Sequence, residues 1–193
     1  MWFETLWNST HQPLQWGVVI CASLAAAVFD LAWRKIPNLL TFPLLLAGLI
    51  WALSFHGLVG LADSAAACAT LMFPFVLLFI FAQGGAGDAK LMGAIGAWLG
   101  VMNGLAVLAG VSIMGIVFGL AYAATKRRFG RVVWAVYYTA CNFMLRLVGR
   151  GVHGVNDLTA PTSSSLKMPY GLAICAGVCL SCAGVFIWRI WRK

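Results

Sequence analysis

The sequence is poor in charged residues and poorest in acidic ones. Only 9% of its 193 residues are charged and only five are Asp or Glu, whereas 62% are hydrophobic. Ordinary soluble domains carry about 25% charged residues. Together with a mean hydropathy of +0.92, this composition excludes a soluble domain and predicts a polytopic membrane protein.

Two of the few acids, Asp30 and Asp88, border long apolar segments. Because a carboxylate at the bilayer centre costs about 2.5–3.5 kcal/mol on insertion scales, acids in such places are rare and often functional. Two carboxylates that share a proton can hydrolyse a substrate by general acid–base chemistry. We therefore expect an aspartate-dependent membrane hydrolase. The alternative from another class is a small ion-coupled transporter, or an assembly subunit, with proton-carrying aspartates.

Basic residues outnumber acidic ones and give a net charge of +8. Most of them lie beside apolar segments, where they would meet lipid headgroups, so we expect a bilayer and no nucleic acid as the partner. Residues 1–15 contain Glu4 but no Lys or Arg. The basic region of a cleavable signal peptide is thus missing, and the first apolar segment is expected to remain as a span.

The six cysteines do not predict a metal site. Cys179 and Cys182 have the spacing of a zinc half-site. However, they lie inside an apolar run, as do three others, and cysteines there usually act as small hydrophobic residues. Only Cys141 lies outside a predicted span, so four ligands cannot be assembled. We expect no metal and no cofactor.

Apolar runs of membrane-spanning length predict an all-α bundle. These runs cover residues 16–33, 39–55, 62–82, 104–124 and 171–188. A shorter run, 89–102, is marginal for crossing alone, although neighbouring protein can shield a short helix from lipid. Including it gives about six transmembrane helices in a single membrane-embedded domain, residues 1–193.

The distribution of Lys and Arg predicts the topology. With the N-terminus outside and six spans, ten of the thirteen Lys and Arg residues face the cytoplasm. The exceptions are Arg189, Arg192 and Lys193. This arrangement places Asp30 and Asp88 together at the cytoplasmic face. If the run 89–102 is re-entrant, five spans result and the later segments change orientation.

Residues 125–168 form a predicted cytoplasmic or interfacial insertion. Within it, residues 131–146 mix aromatic and apolar side chains between arginines, which favours an interfacial helix. A further span is the alternative. Residues 151–167 are rich in Gly, Ser and Thr and predict a flexible loop that can act as a lid or docking segment.

The segment GGAGDAK at residues 84–90 contains Asp88 and breaks an apolar run with glycines. Such a loop has no side-chain bulk and lets a substrate backbone approach the carboxylate. A phosphate-binding loop is disfavoured, since no Gly-Lys-Ser/Thr ending and no preceding strand are present. A plain helix break is the other alternative. Lys90 is expected to reach headgroups or to steady the loop.

Asp30 precedes a predicted hairpin that contains Arg34, Lys35 and Pro37. Pro37 disfavours helix at the residue before it, and Asn38 can cap the next span. Because Arg34 follows Asp30 by four residues, a helix-surface salt bridge is the alternative to a catalytic role.

Three motifs occur in order: Asp30 before RKIPNL (34–39), GAGDAKLMGAIGAWLG (85–100), and MPYGLAI (168–174). Together they closely resemble the prepilin peptidases, which are polytopic aspartic proteases of the Gly-x-Gly-Asp type. The resemblance implies that Asp30 and Asp88 activate water to cleave a prepilin or pseudopilin after its short basic leader. It also implies a bacterial inner membrane location with the site at the cytoplasmic face.

The same resemblance implies which other residues shape the site or bind substrate. They are Gly85, Gly87, Lys90, Arg34, Pro169, Tyr170 and Gly171. The sequence departs from the larger, bifunctional members, because it has no N-terminal domain with paired Cys-x-x-Cys motifs. Methyltransferase activity is therefore not implied, and the short form is similar to the minimal peptidases of Flp/Tad-type pilus systems.

Overall fold

The computed structural model describes residues 12–82, 85–125 and 170–191, and within them only residues 34–37 and 85 lie outside helices. The helices are α1 (Gln12–Trp33), α2 (Asn38–Ala82), α3 (Ala86–Thr125) and α4 (Tyr170–Trp191). Each is long and apolar enough to cross a bilayer. The predicted all-α class is thereby confirmed for this part of the chain, and four apolar helices agree with a polytopic membrane protein.

Helices α2 and α3 are each interrupted by a glycine. Gly57 has φ 64° and ψ −155°, and Gly100 has φ 71° and ψ 178°. Glycine adopts positive φ without the clash that a Cβ would cause. An unbroken α2 of 45 residues would be about 68 Å long, which is more than twice the roughly 30 Å of a hydrocarbon core. The breaks allow shorter helical stretches, but the count of six spans stays a prediction.

The most buried stretch of the described chain is the first part of α3, where every residue from 91 to 99 is buried. Both halves of α2 contact it. A Cβ on Gly48 would lie 2.9 Å from the Trp98 ring, and a Cβ on Gly96 would lie 2.6 Å from the Ala67 carbonyl oxygen. Within the short run 89–102, residues 91–99 are therefore covered by neighbouring helices.

The first and last helices of the described chain pack against each other. The second half of α3 also contacts α4, because a Cβ on Gly177 would lie 2.5 Å from Val111 Cα. At the same contact, Ser181 Oγ donates a hydrogen bond to the Ala106 carbonyl oxygen at 2.9 Å. Helix α4 therefore lies against both α1 and α3.

A third acid, Asp63, binds the backbone of α3 just after the break at Gly100. Its Oδ2 accepts a hydrogen bond at 3.3 Å from the backbone N–H of Val101, 38 residues away. Val101 directly follows Gly100, where helical hydrogen bonding starts again and N–H groups need partners. Asp63 therefore acts as a cap for the second half of α3.

The chain divides into two compact units, one of Met1–Phe118 with Pro169–Lys193 and one of Gly119–Met168. Of the second unit the structure describes residues 119–125, the last turns of α3. The predicted interfacial helix at 131–146 and the predicted loop at 151–167 lie outside the described residues. The prediction of a single domain over residues 1–193 stays a prediction.

Candidate active site

Asp30 lies in the last turn of α1 and is partly buried. Its Oδ2 accepts a hydrogen bond from the backbone N–H of Gly171, with 2.8 Å between the two atoms. Gly171 is in the first turn of α4, where backbone N–H groups have no partner within the helix and attract negative charge. The end of α1 is therefore joined to the start of α4, although the two residues are 141 positions apart.

Glycine at position 171 is required by the closeness of this contact. A Cβ there would lie 2.9 Å from Asp30 Cβ, 3.1 Å from Asp30 Oδ2 and 3.2 Å from Ala27 Cα. Carbon atoms normally pack at about 3.5–4.0 Å. Any larger residue would push α4 away from the Asp30 carboxylate. Pro169, which was predicted to shape the same site, lies outside the described residues.

Tyr170, the first residue of α4, contacts both α2 and α3. Its ring contacts Phe75 edge to face, with 6.1 Å between the ring centroids. Its hydroxyl lies beside Gly115, where an added Cβ would be 2.6 Å from the oxygen. The aromatic side chain of the residue before Gly171 thus packs between α2 and α3.

The hairpin after Asp30 begins with an unusual backbone conformation at Arg34. Arg34 has φ 52°, and its backbone N–H donates to the Asp30 carbonyl oxygen at 2.9 Å. Positive φ is uncommon for residues other than glycine, and here it ends α1. The Arg34 side chain is exposed. Among the described residues the Asp30 carboxylate is bonded to Gly171, not paired with Arg34 as the salt-bridge alternative required.

Asp88 lies in the first turn of α3 and is partly buried. Its backbone N–H donates to the Gly85 carbonyl oxygen at 3.2 Å. A Cβ on Gly85 would lie 2.6 Å from Asp88 Oδ2, and a Cβ on Gly87 would lie 3.0 Å from Ile36 Cβ. Gly85 therefore leaves open space beside the carboxylate. Gly87 lets the same turn pack against the hairpin that follows Asp30.

The two aspartates come together at one end of the bundle, where α1 ends and α3 begins. Gly87, next to Asp88, packs against Ile36 of the hairpin that follows Asp30, so the two carboxylates are close enough for their charges to repel. Two carboxylates from different helices thus share a site with the start of α4. Their catalytic role stays a prediction.

The Lys90 side chain has two partners within the protein, which are Asn38 and Phe42. Its Nζ donates a hydrogen bond to Asn38 Oδ1 at 2.9 Å and lies 5.3 Å from the centroid of the Phe42 ring. The backbone N–H groups of Leu40 and Thr41, which a capping Asn38 would bind, instead donate to the Pro37 carbonyl oxygen. The predicted capping role of Asn38 is therefore wrong, and its side chain binds Lys90.

Sequence reasoning did not identify Asn38 and Phe42 as partners of Lys90. Their spacing of four residues does place them on one face of a helix, but nothing in the sequence selects Lys90 among the basic residues. Within the part of the chain that is described, no group of three or more His, Cys, Asp or Glu is arranged to hold a metal.

Comparison with known proteins gives two matches. The sequence model of the type IV leader peptidase family matches residues 17–120, a segment that contains Asp30, Asn38, Asp88 and Lys90. The prepilin leader peptidase/N-methyltransferase of Xanthomonas campestris pv. campestris is 30% identical over 117 residues. That alignment covers 58% of this chain but only 41% of the relative. No solved structure matches the chain.

Proposed function

Because the chain belongs to the type IV leader peptidase family, we propose that it is a membrane aspartic endopeptidase that removes the short basic leader of a prepilin or pseudopilin. The observation that carries the proposal is that Asp30 is bonded to the start of α4, while the turn that holds Asp88 packs against the hairpin that follows Asp30. Acids are rare in this chain, and two of its five come from different helices into one site.

The proposed reaction uses the two carboxylates in opposite protonation states. The ionised carboxylate takes a proton from a water molecule, whose oxygen attacks the carbonyl carbon of the scissile peptide bond. The protonated carboxylate gives its proton to the carbonyl oxygen. As the C–N bond breaks, the leaving nitrogen takes a proton from the newly protonated carboxylate, and one hydroxyl of the tetrahedral intermediate returns its proton to the other carboxylate.

The surroundings of the two acids support this chemistry. Gly171 N–H orients Asp30 by holding its Oδ2. Next to Asp88, the exposed Gly85 offers room for an extended peptide backbone, since it has no side chain to block the approach. A hydrolytic site needs a carboxylate held in a fixed orientation and space for the peptide substrate, because the reacting groups must be held in near-attack geometry.

We further propose that the chain crosses the bacterial inner membrane six times and cleaves at the cytoplasmic face. Arg34 and Lys35 are exposed at the same end of the bundle as Asp30, in agreement with the preference of Lys and Arg for cytoplasmic loops. The breaks at Gly57 and Gly100 support six spans, because each permits one long helix to act as two.

The test is to coexpress a prepilin with the Asp30→Asn and Asp88→Asn variants and to follow the size of the pilin. Asparagine keeps the shape of the side chain but cannot act as an acid or base, so both variants should leave the precursor uncut. Asp63→Asn is the matched control, since its amide oxygen can still accept the Val101 N–H; it should cleave normally. Normal cleavage by either of the first two variants would refute the proposal.

A further inference from the structure

We propose that Lys90 is a positioning residue, which acts through Asn38 and Phe42 to fix the turn that carries Asp88 against the hairpin that follows Asp30. The inference rests on the proposed function, because it assigns to Lys90 a part in placing the two acids. It differs from a role in which the Lys90 ammonium binds substrate or lipid headgroups.

The contact joins the two segments that matter for the site. Lys90 follows Asp88 by two residues in the first turns of α3, and Asn38 is the first residue of α2, 52 positions away. Four residues, 34–37, connect α2 to α1, whose last turn holds Asp30. A link between Lys90 and Asn38 therefore limits how far the Asp88 turn can move from the Asp30 hairpin.

Two different interactions hold the ammonium group. Asn38 Oδ1 accepts a hydrogen bond from Nζ at 2.9 Å, and a hydrogen bond from a charged donor is stronger than one between neutral groups. One helical turn further along α2, the Phe42 ring lies 5.3 Å from Nζ, within the range of a cation–π interaction. Because both partners are on the same face of α2, Lys90 is directed to one place.

A contact between Gly87 and Ile36 also limits the movement of the Asp88 turn. Gly87 lies so close to Ile36 that an added Cβ would be 3.0 Å from Ile36 Cβ. The Asp88 turn is thus held on the hairpin by an apolar contact before Asp88 and by a polar contact after it. Since a shift of about 1 Å in a catalytic group can reduce the rate about 10²-fold, a loose turn would slow cleavage without abolishing substrate binding.

The experiment is a double-mutant cycle on the purified full-length protein with a purified prepilin. The variants are Lys90→Met, Asn38→Ala and the two combined, and kcat and KM are measured for each. If Lys90 acts through Asn38, each single variant lowers kcat about 10- to 100-fold with KM almost unchanged. The double variant is then no slower than the worse single variant, because the same contact is lost only once.

Three further variants separate this role from a general structural one. Asn38→Asp keeps an oxygen acceptor for Lys90 and should restore kcat to nearly the wild-type value. Phe42→Leu keeps an apolar side chain but removes the ring, and it should lower kcat by a smaller factor than Asn38→Ala. Lys35→Met is the charge control, since Lys35 is exposed on the same hairpin; its kcat and KM should match the wild type.

The inference is overturned if the effects of Lys90→Met and Asn38→Ala multiply, or if Lys90→Met raises KM and leaves kcat unchanged. Either result means that the ammonium acts on substrate or lipid. If Lys90→Met does not fold, the comparison of Asn38→Ala with Asn38→Asp decides, since equal loss in both would contradict the role of the acceptor oxygen. Failure of the proposed function is recognised separately, because Asp30→Asn and Asp88→Asn would then cleave normally.

Discussion

Replacing Gly171 by alanine should slow cleavage and also lower the stability of the fold. The added Cβ would meet Asp30 Cβ at 2.9 Å, Asp30 Oδ2 at 3.1 Å and Ala27 Cα at 3.2 Å. Two of these atoms belong to the proposed catalytic aspartate, and the third is backbone of α1. Asp30 Cβ and Ala27 Cα cannot rotate away from the added Cβ, so the start of α4 must move instead.

The size of the effect follows from these distances. Carbon atoms pack at about 3.5–4.0 Å, so α4 must retreat by about 0.6–1.1 Å. This displacement stretches the 2.8 Å hydrogen bond from Gly171 N–H to Asp30 Oδ2. A misplacement of about 1 Å can cost about 10²-fold in rate, and overpacking typically costs about 1–3 kcal/mol of stability. We expect kcat to fall about 10- to 100-fold, with little change in KM.

The assay is cleavage of a purified prepilin by the detergent-solubilised protein, with thermal unfolding followed in parallel. Gly184→Ala is the matched control, since Gly184 lies in the same helix and an added Cβ there has nothing within 4 Å. This variant should unfold and cleave as the wild type does. Cleavage by Gly171→Ala at the wild-type rate would refute the view that the first turn of α4 positions Asp30.

Two further predictions concern stability. Asp63→Ala removes the acceptor for the Val101 N–H and should lower the free energy of unfolding by about 0.5–2 kcal/mol, as loss of a helix cap does; a change below that range in chemical denaturation would contradict the capping role. Gly96→Ala would bring a Cβ to 2.6 Å from the Ala67 carbonyl oxygen and should lower the unfolding free energy by about 1–3 kcal/mol through overpacking. Gly17→Ala, which meets nothing within 4 Å, is the control, and equal stability of the two variants would contradict the close packing of α2 on α3.

The hydropathy of the chain was enough to predict an all-helical membrane protein, because burial in lipid requires long apolar helices with internal backbone hydrogen bonds. The same pattern left open whether the short run 89–102 crosses the membrane, and the structure shows that residues 91–99 within it are all buried. The family was also predictable, since three motifs in order narrowed a common Gly-x-Gly-Asp pattern to a specific group.

The contacts that arrange the site could not be predicted from sequence. Gly171 is 141 positions from Asp30, and Lys90 is 52 positions from Asn38. Pairing at such separations depends on how the helix ends meet in space. Asn38 was expected to cap α2 because local patterns favour asparagine at helix starts. The Pro37 carbonyl oxygen accepts the N–H groups of Leu40 and Thr41 instead, and the Asn38 side chain binds Lys90.

Asp63 shows that sequence alone also does not reveal the role of an acid. It stands at the edge of an apolar run, as Asp30 and Asp88 do, and composition alone does not separate a structural acid from a catalytic one. Its carboxylate accepts the N–H that follows the break at Gly100. This capping contact of Asp63 is visible only in the fold, and the catalytic role of Asp30 and Asp88 stays a proposal.

The central claim is that Asp30 and Asp88 together cleave one peptide bond. Its most direct test compares cleavage by the purified wild type with cleavage by variants that each lack one of the two aspartates. Wild type, Asp30→Asn and Asp88→Asn are incubated with a purified prepilin, and the products are weighed by mass spectrometry. We predict that the wild type yields the leader and the mature pilin, and that each variant is slower by at least about 10³-fold. Formation of the same two products at the wild-type rate by either variant would contradict the account.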